Sequence, residues 1–228
     1  MIYEVNMNTT FDAAFDTIPF YQKHPYMKPF VGDRYESESH NKLLIVGESH
    51  YLPASSTVHL NIDNWYEGNL NLTELETKCC NTRLSRLNKF GKCFEYPIEK
   101  DLSTHFNADF NDVASLNYFL RPSNQGRSFK QICNIKDRIN SAKNFNQIVQ
   151  ILKPDLIVFA SRFVYDCVAW KDDYNQACKE KFEDVAKRMN IKSIWTKHPS
   201  RGGWLKSVIC GKKSNQIFVE FLEDNWMK

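Results

Sequence analysis

The sequence predicts an α/β protein with a three-layer α/β/α arrangement around a central, mostly parallel four-stranded sheet. Short apolar runs without polar alternation recur along the 228-residue chain, and such runs are typical of strands buried on both faces. The segments between them carry apolar residues at helical spacing. Strands that alternate with helices of this length form parallel sheets covered on both faces, so both observations favour the same fold class.

Four segments have the composition of buried strands. The first, "LLIVG", ends at Gly47, and the second, "DVASLNYFL", contains Asn117. The third and fourth are "DLIVFA" and "IKSIWT". Parallel strands place their carboxyl ends at one edge of the sheet, where α/β proteins bind ligands. We therefore expect the residues that follow these strands to converge there.

Five segments carry helical signals. "NTRLSRLNKFG" has Asn81 as an N-cap and Gly91 as a stop, and "SRFVYDCVAW" has Ser161 as a cap. "SAKNFNQIVQILKP" shows helical spacing of its apolar residues until Pro154 ends it. The other two predicted helices are Tyr174–Met189 and "SNQIFVEFLEDNW", which closes the chain.

Composition predicts a cytoplasmic protein that makes no membrane contact. No apolar run approaches the roughly 20 residues of a transmembrane helix. The first residues lack the basic start and apolar centre of a signal peptide. The seven cysteines are an odd number without a C-x-x-C motif, which indicates reduced thiols in a reducing compartment.

The net charge is only +3, but the positive charge is unevenly distributed. The stretch 185–219 contains basic residues and no acid; its basic residues are Lys187, Arg188, Lys192, Lys197, Arg201, Lys206, Lys212 and Lys213. The default interpretation of such a stretch is a solvated surface. The sharper interpretation is a surface that follows phosphate groups.

Polar side chains follow three of the predicted strands. Glu48 comes directly after the first strand in "GESHY", and Asn117 lies near the end of the second. His198 follows the fourth strand in "KHPSRGGW". The sequence therefore predicts a carboxylate, an amide and an imidazole at one edge of the sheet.

Taken in order, these motifs resemble those of the uracil-DNA glycosylase superfamily. "GESHY" resembles the first motif, "GKCFEYP" with Phe94 the aromatic segment, "VASLN" the third motif and "HPS" the fourth. The similarity runs from about residue 43 to residue 222. It implies a single glycosylase-like domain over 1–228, with an atypical N-terminal extension at 1–40 and an insertion at about 52–92.

Several positions depart from the family pattern and indicate a divergent member. Ser49 stands where the classical uracil enzymes have Asp, and Glu48 stands where the iron–sulfur branch has its acid. His50 replaces the usual Pro, and residues 201–205 replace the Pro-Leu wedge. Because the cysteine spacing does not match the iron–sulfur branch, we expect no metal and no cofactor.

The resemblance implies hydrolysis of the N-glycosidic bond of uracil, or of a related deaminated or damaged base, flipped out of DNA. Asn117 suits the edge of the base because its amide offers both a donor and an acceptor. Phe94 would stack on the base, and Tyr51 would wall the pocket. His198 would hydrogen-bond the departing base, and Glu48 would orient the attacking water.

The segment after the last strand is the predicted DNA contact. Its candidate DNA-binding residues are Ser200, Arg201, Gly202, Gly203, Trp204 and Lys206. The glycines permit a close approach to phosphate, and Trp204 or Leu205 is the candidate wedge that replaces the flipped base. The expected partner is single- or double-stranded DNA, possibly containing uracil, bound by a monomer.

Two other functions stay open at this stage. One is a catalytically silent module of the same fold that binds nucleic acid or a nucleotide. The other is an unrelated hydrolase in which Glu48, His50 and His59 bind a metal ion.

Overall fold

The computed structural model describes residues 5–87, 94–169, 176–199, 202–206 and 208–228. At its centre is a five-stranded sheet, and two smaller two-stranded sheets lie outside it. The strands are β1 (Phe30–Val31), β2 (Leu43–Gly47), β3 (Tyr51–Leu52), β4 (Val113–Asn117), β5 (Ser123–Asn124), β6 (Leu156–Phe159), β7 (Lys192–Trp195), β8 (Val208–Ile209) and β9 (Lys212–Lys213).

The central sheet has the order β1-β4-β2-β6-β7. Strand β2 pairs in parallel with β4 and β6, and β6 pairs in parallel with β7, which confirms the four predicted strands. The predicted strand number was wrong by one, because β1 adds an antiparallel edge strand along β4. The protein is therefore a mixed α/β fold with a mostly parallel five-stranded sheet.

The helices lie on both faces of this sheet. They are α1 (Asp12–Phe15), α2 (Pro19–Lys23), α3 (Ile62–Glu67), α4 (Glu74–Cys79), α5 (Thr82–Arg86), α6 (Glu95–Phe106), α7 (Ile135–Leu152), α8 (Arg162–Ala169), α9 (Phe182–Met189), α10 (Gly203–Lys206) and α11 (Ser214–Asn225). Single-turn 3₁₀ segments occur at Pro25–Met27, Phe110–Asp112 and Phe129–Gln131.

The alternation of side chains along β2 divides the core into two layers. Leu44 and Val46 pack with apolar residues of α1, α2, α7, α8 and α9 on one face. Leu43 and Ile45 pack with those of α6, α10 and α11 on the other. Because all five residues of β2 are buried, the strand needs no polar alternation, as its sequence predicted.

One predicted helix is interrupted. The pattern of Tyr174–Met189 predicted a continuous helix, but residues 179–180 form a bend and α9 begins only at Phe182. Lys179 has a positive φ of 57°, a conformation that ends a helix. Tyr174 itself lies outside the described residues, as does the predicted stop at Gly91 in the segment after Asn81.

The N-terminal extension and the insertion belong to the same folded body as the sheet. The extension supplies β1 and buries Tyr35, whose hydroxyl donates to the carbonyl of Leu152 at 3.3 Å. The insertion supplies α3, α4 and α5. Its Trp65 is fully buried and donates its indole N–H to the carbonyl of Leu120 at 3.1 Å.

Within the described ranges, the cysteines are free thiols, as their number and spacing predicted. Cys93 lies outside these ranges. No helix in the described part of the chain is long and apolar enough to cross a bilayer.

Two buried histidines predict how stability depends on pH. Burial lowers the pKa of His24 to about 4, and burial with the nearby charge of Arg86 lowers that of His50 to about 3. The unfolded chain binds these protons near pH 6.5, so between these values it holds more protons than the folded chain. The free energy of unfolding is therefore complete above about pH 6.5 and falls as the pH drops towards the folded pKa values.

We expect the urea midpoint to fall between pH 7 and pH 4.5, and to fall less in the double variant His24→Gln, His50→Gln. Comparing the variant with the wild type cancels the contribution of shared carboxylates such as Asp112, whose pKa is lowered by bonds to His40 and Arg34 despite its burial. Equal falls in both proteins would contradict the assignment to these histidines.

Candidate active site at the carboxyl edge of the sheet

The end of β2 is fixed to the chain that leaves β4. The carbonyl of Gly47 accepts from the backbone N–H of Tyr118 at 3.0 Å, and that of Glu48 accepts from Phe119 at 2.9 Å. These bonds continue the parallel ladder past Gly47 and Asn117, which are register partners. Glu48 therefore leaves the sheet with a fixed backbone, and it is only half-buried.

Gly47 makes room for the side chain of Asn117. A Cβ atom at Gly47 would lie 2.3 Å from Asn117 Oδ1 and 3.3 Å from Cε2 of Phe94. Both distances are shorter than ordinary contacts, so any side chain at position 47 would displace the amide. The missing side chain thus lets the amide of Asn117 and the ring of Phe94 meet at the end of β2.

His198 lies against the same ring. The centroids of Phe94 and His198 are 5.4 Å apart, with the ring planes tilted by 53°. The loop of His198 is itself held closely, because a Cβ atom at Gly203 would lie 2.6 Å from the carbonyl oxygen of His198. Phe94 is mostly buried and His198 is half-buried. The structure therefore brings together all the residues predicted at the ends of β2, β4 and β7.

Ser161 holds the carboxylate of Glu48, a role that sequence reasoning missed. Its hydroxyl donates to Glu48 Oε2 at 2.7 Å, and its oxygen accepts from the N–H of Val164 at 3.4 Å. The sequence identified Ser161 only as the cap of α8. Its position directly after β6 was the available signal, because that strand ends at the same edge.

Arg86 lies under Phe94 and was also missed. Its guanidinium carbon is 4.6 Å from the centroid of the Phe94 ring. It forms a buried ion pair with Glu95 and donates through Nε to Ser115 Oγ at 2.9 Å. The pair connects α5 of the insertion to the start of α6, so the insertion supports the ring that borders His198.

The other residues of "GESHY" face different surroundings. Ser49 is buried, and its hydroxyl has no hydrogen-bond partner among the described residues. The imidazole of His50 turns towards the insertion, where Nε2 hydrogen-bonds Thr82 Oγ1 at 3.1 Å. Tyr51 is half-buried and pairs with Ser123 in the small parallel sheet. Of these residues, only Glu48 has a described contact with Ser161 at the end of β6.

The structure corrects the prediction that Trp204 contacts DNA as a wedge. Trp204 is 1% exposed and packs on Phe218, with ring centroids 5.2 Å apart. Its indole N–H donates to Asp101 Oδ2 at 2.5 Å. A side chain fixed in this way belongs to the core, whereas Leu205, the other candidate wedge, is 55% exposed.

The remaining predicted DNA contacts have mixed positions. Ser200 and Arg201 lie outside the described residues. Gly202 has a positive φ of 72°, which favours glycine, and Lys206 is exposed at the end of α10. Gly203 approaches the backbone of His198 closely, so its described contact is structural.

Part of the basic stretch 185–219 is neutralised locally. Lys187 pairs with Glu183 at 3.0 Å, Arg188 with Glu180 at 2.7 Å and Lys212 with Glu220 at 2.6 Å. Two of the three acids lie outside the stretch in sequence, so a count of charges within it could not reveal them. For these three cations the structure favours the solvated, ion-paired interpretation.

The metal alternative finds no support in the described ranges, because no three His, Cys, Asp or Glu side chains there lie close enough to hold an ion. Glu48 and His50 have the separate partners Ser161 and Thr82. His59 is fully buried next to Arg121, which donates to its carbonyl at 3.1 Å. The three residues of that hypothesis therefore do not form one ligand set.

The arrangement offers a definite set of chemical groups at one edge of the sheet. A carboxylate held by a hydroxyl lies beside an amide, an aromatic ring and an imidazole. These groups can orient water, read a heterocycle, stack on it and donate to an oxyanion. No protein-family model matches the chain, and no curated protein matches it either.

Proposed function

We propose that this protein is a DNA glycosylase-like enzyme that hydrolyses the N-glycosidic bond of uracil, or of a related deaminated or damaged base, flipped out of DNA. One observation carries the proposal. The amide of Asn117, the ring of Phe94 and the imidazole of His198 meet around the side-chain-free Gly47, directly before Glu48. This juxtaposition supports a site that binds a planar heterocycle next to a carboxylate.

The base is bound by a polar edge and a ring. Asn117 has both an amide donor and a carbonyl acceptor, which complement the O4 and N3–H of uracil. Phe94 offers an aromatic surface to the base, and Arg86 behind it holds the ring in place. Tyr51 stays a candidate for the pocket wall.

The reaction breaks the bond between the base and sugar carbon C1′. The bonding electron pair leaves with the base, so negative charge grows on the base and positive charge on the sugar. A hydrogen bond from neutral His198 stabilises the charge on the base, and the carboxylate of Glu48 stabilises the sugar cation and orients water. Water adds to C1′ and loses a proton, which leaves an abasic sugar and a free base.

A direct assay tests this function and separates it from the alternatives. Oligonucleotides carrying one uracil, single-stranded or paired, are incubated with the protein in the presence and absence of a chelator. The proposal expects free base to be released equally under both conditions. Release that requires metal would support the metal-hydrolase alternative instead.

A binding module without activity is the second candidate. Ser49 favours it, because this residue stands where the resembled family has an ionisable Asp and its buried hydroxyl cannot ionise near neutral pH. That candidate predicts tight binding of DNA or nucleotide with no base release from any deaminated or damaged base.

Ser161 provides a sharper prediction about Glu48. Removing its hydroxyl in Ser161→Ala is expected to slow base release roughly 10-fold with little change in KM, because the carboxylate loses the bond that orients it. Ser161→Thr keeps a hydroxyl and is expected to retain most of the rate. Single-turnover rates and KM of both variants check this, and similar losses in both would assign Ser161 to packing alone.

A further inference from the structure

Two cations lie over aromatic rings beside Glu48. The guanidinium carbon of Arg162 is 5.2 Å from the centroid of the Trp195 ring, and Lys130 Nζ is 5.8 Å from that of Phe163. Arg162 and Phe163 directly follow Ser161, the residue bonded to Glu48. Trp195 is the last residue of β7, so both contacts lie at the carboxyl edge of the sheet.

The two rings are themselves anchored. Phe163 stacks on Phe119 with centroids 5.1 Å apart and planes tilted by 25°. Trp195 lies 6.5 Å from Tyr165. Because these rings are fixed by neighbours, the cations over them lose less freedom when they bind an anion than free surface cations do.

These cations differ from those of the basic stretch in exposure and pairing. The side chain of Arg162 is 69% exposed, and Lys130 is exposed. Asp166 lies 3.7 Å from Arg162 Nε, which is too long for a hydrogen bond. Lys187 and Arg188, in contrast, contact their acids at 3.0 and 2.7 Å. Arg162 therefore keeps its guanidinium donors available for another acceptor.

We propose that Lys130 and Arg162 bind phosphates of the DNA strand whose base enters the site at Glu48. This inference rests on the proposed function for the identity of the strand. The planar guanidinium suits phosphate oxygens, and the ammonium of Lys130 adds a second positive charge along the same edge. The electrostatic footprint of the protein thus lies at the start of α8 rather than on the ion-paired cations at 187–188.

The salt dependence of DNA binding tests this assignment. Binding of a single-stranded oligonucleotide without a target base is measured between low and moderate salt. The double variant Lys130→Ala, Arg162→Ala is expected to lower the slope of log K against log salt by about two, one for each lost phosphate contact. Arg162→Lys retains the charge and is expected to lose little of the slope. The matched control, Lys187→Ala with Arg188→Ala, is expected to leave the slope unchanged.

Three results would overturn the proposal: an unchanged slope in the Lys130 and Arg162 variant, an equal loss in the control, or tighter binding of RNA of the same sequence. Base release by the wild type is measured in parallel. Absent release with a reduced slope would reject the glycosylase function and leave the phosphate contacts standing. Normal release with an unchanged slope would reject the phosphate contacts and leave the glycosylase function standing.

Discussion

Replacing His198 by alanine is expected to slow base release by roughly 100- to 1000-fold, which is the usual loss for one donor to a developing oxyanion. DNA affinity is expected to change far less. The hydrogen bond strengthens as charge grows on the departing base, so it contributes mainly in the transition state. Single-turnover rates and equilibrium binding to the same oligonucleotide measure the two effects separately.

His105 provides the matched control for this prediction. It is an exposed histidine in the last turn of α6, whereas His198 borders the ring of Phe94. His105→Ala is expected to keep the wild-type rate. If His198→Ala loses binding and turnover equally, then His198 acts in recognition or folding and not on the leaving base.

Replacing Glu48 by glutamine is expected to abolish most base release while the fold and DNA binding are retained. The amide keeps the size of the side chain and can still contact Ser161, but it removes the negative charge that stabilises a sugar cation and orients water. Ser49→Ala is expected to retain most of the activity, because its hydroxyl cannot ionise near neutral pH. Single-turnover release, with thermal unfolding as a check on folding, compares the two variants.

A fully active Glu48→Gln would mean that the carboxylate is structural. A large loss in Ser49→Ala would instead mean that its buried hydroxyl acts in the site. Either outcome would replace the proposed mechanism with another assignment of roles at the end of β2.

Most of the fold could be predicted because buried parallel strands have a clear sequence signal. β2, β4, β6 and β7 are continuous apolar runs, since helices cover both of their faces. Strand β1 could not be predicted, because it has two residues and depends on its pairing with β4. The break before α9 was missed because Lys179, a non-glycine residue, adopts the left-handed conformation there.

The candidate site was predicted only as far as strand ends determine it. Glu48, Asn117 and His198 follow strands whose carboxyl ends share one edge, so their proximity was predictable. Contacts between distant segments were not. Ser161 and Glu48 are separated by 113 positions, and the position of Arg86 depends on the fold of the insertion.

Trp204 shows the opposite error. A tryptophan among glycines and basic residues has the sequence appearance of an exposed DNA contact. Its burial is decided by Phe218 on α11 and by Asp101 on α6, which satisfies its indole N–H. A local pattern could not reveal partners on two distant helices.

The central claim is that Glu48 and His198 serve hydrolysis of a glycosidic bond in DNA. Mass spectrometry of both products from a single-stranded oligonucleotide with one uracil tests it most directly. The proposed mechanism predicts free, unmodified uracil together with an unbroken strand that carries one abasic sugar. Intact substrate, or a strand cleaved at its backbone with uracil still attached, would contradict it.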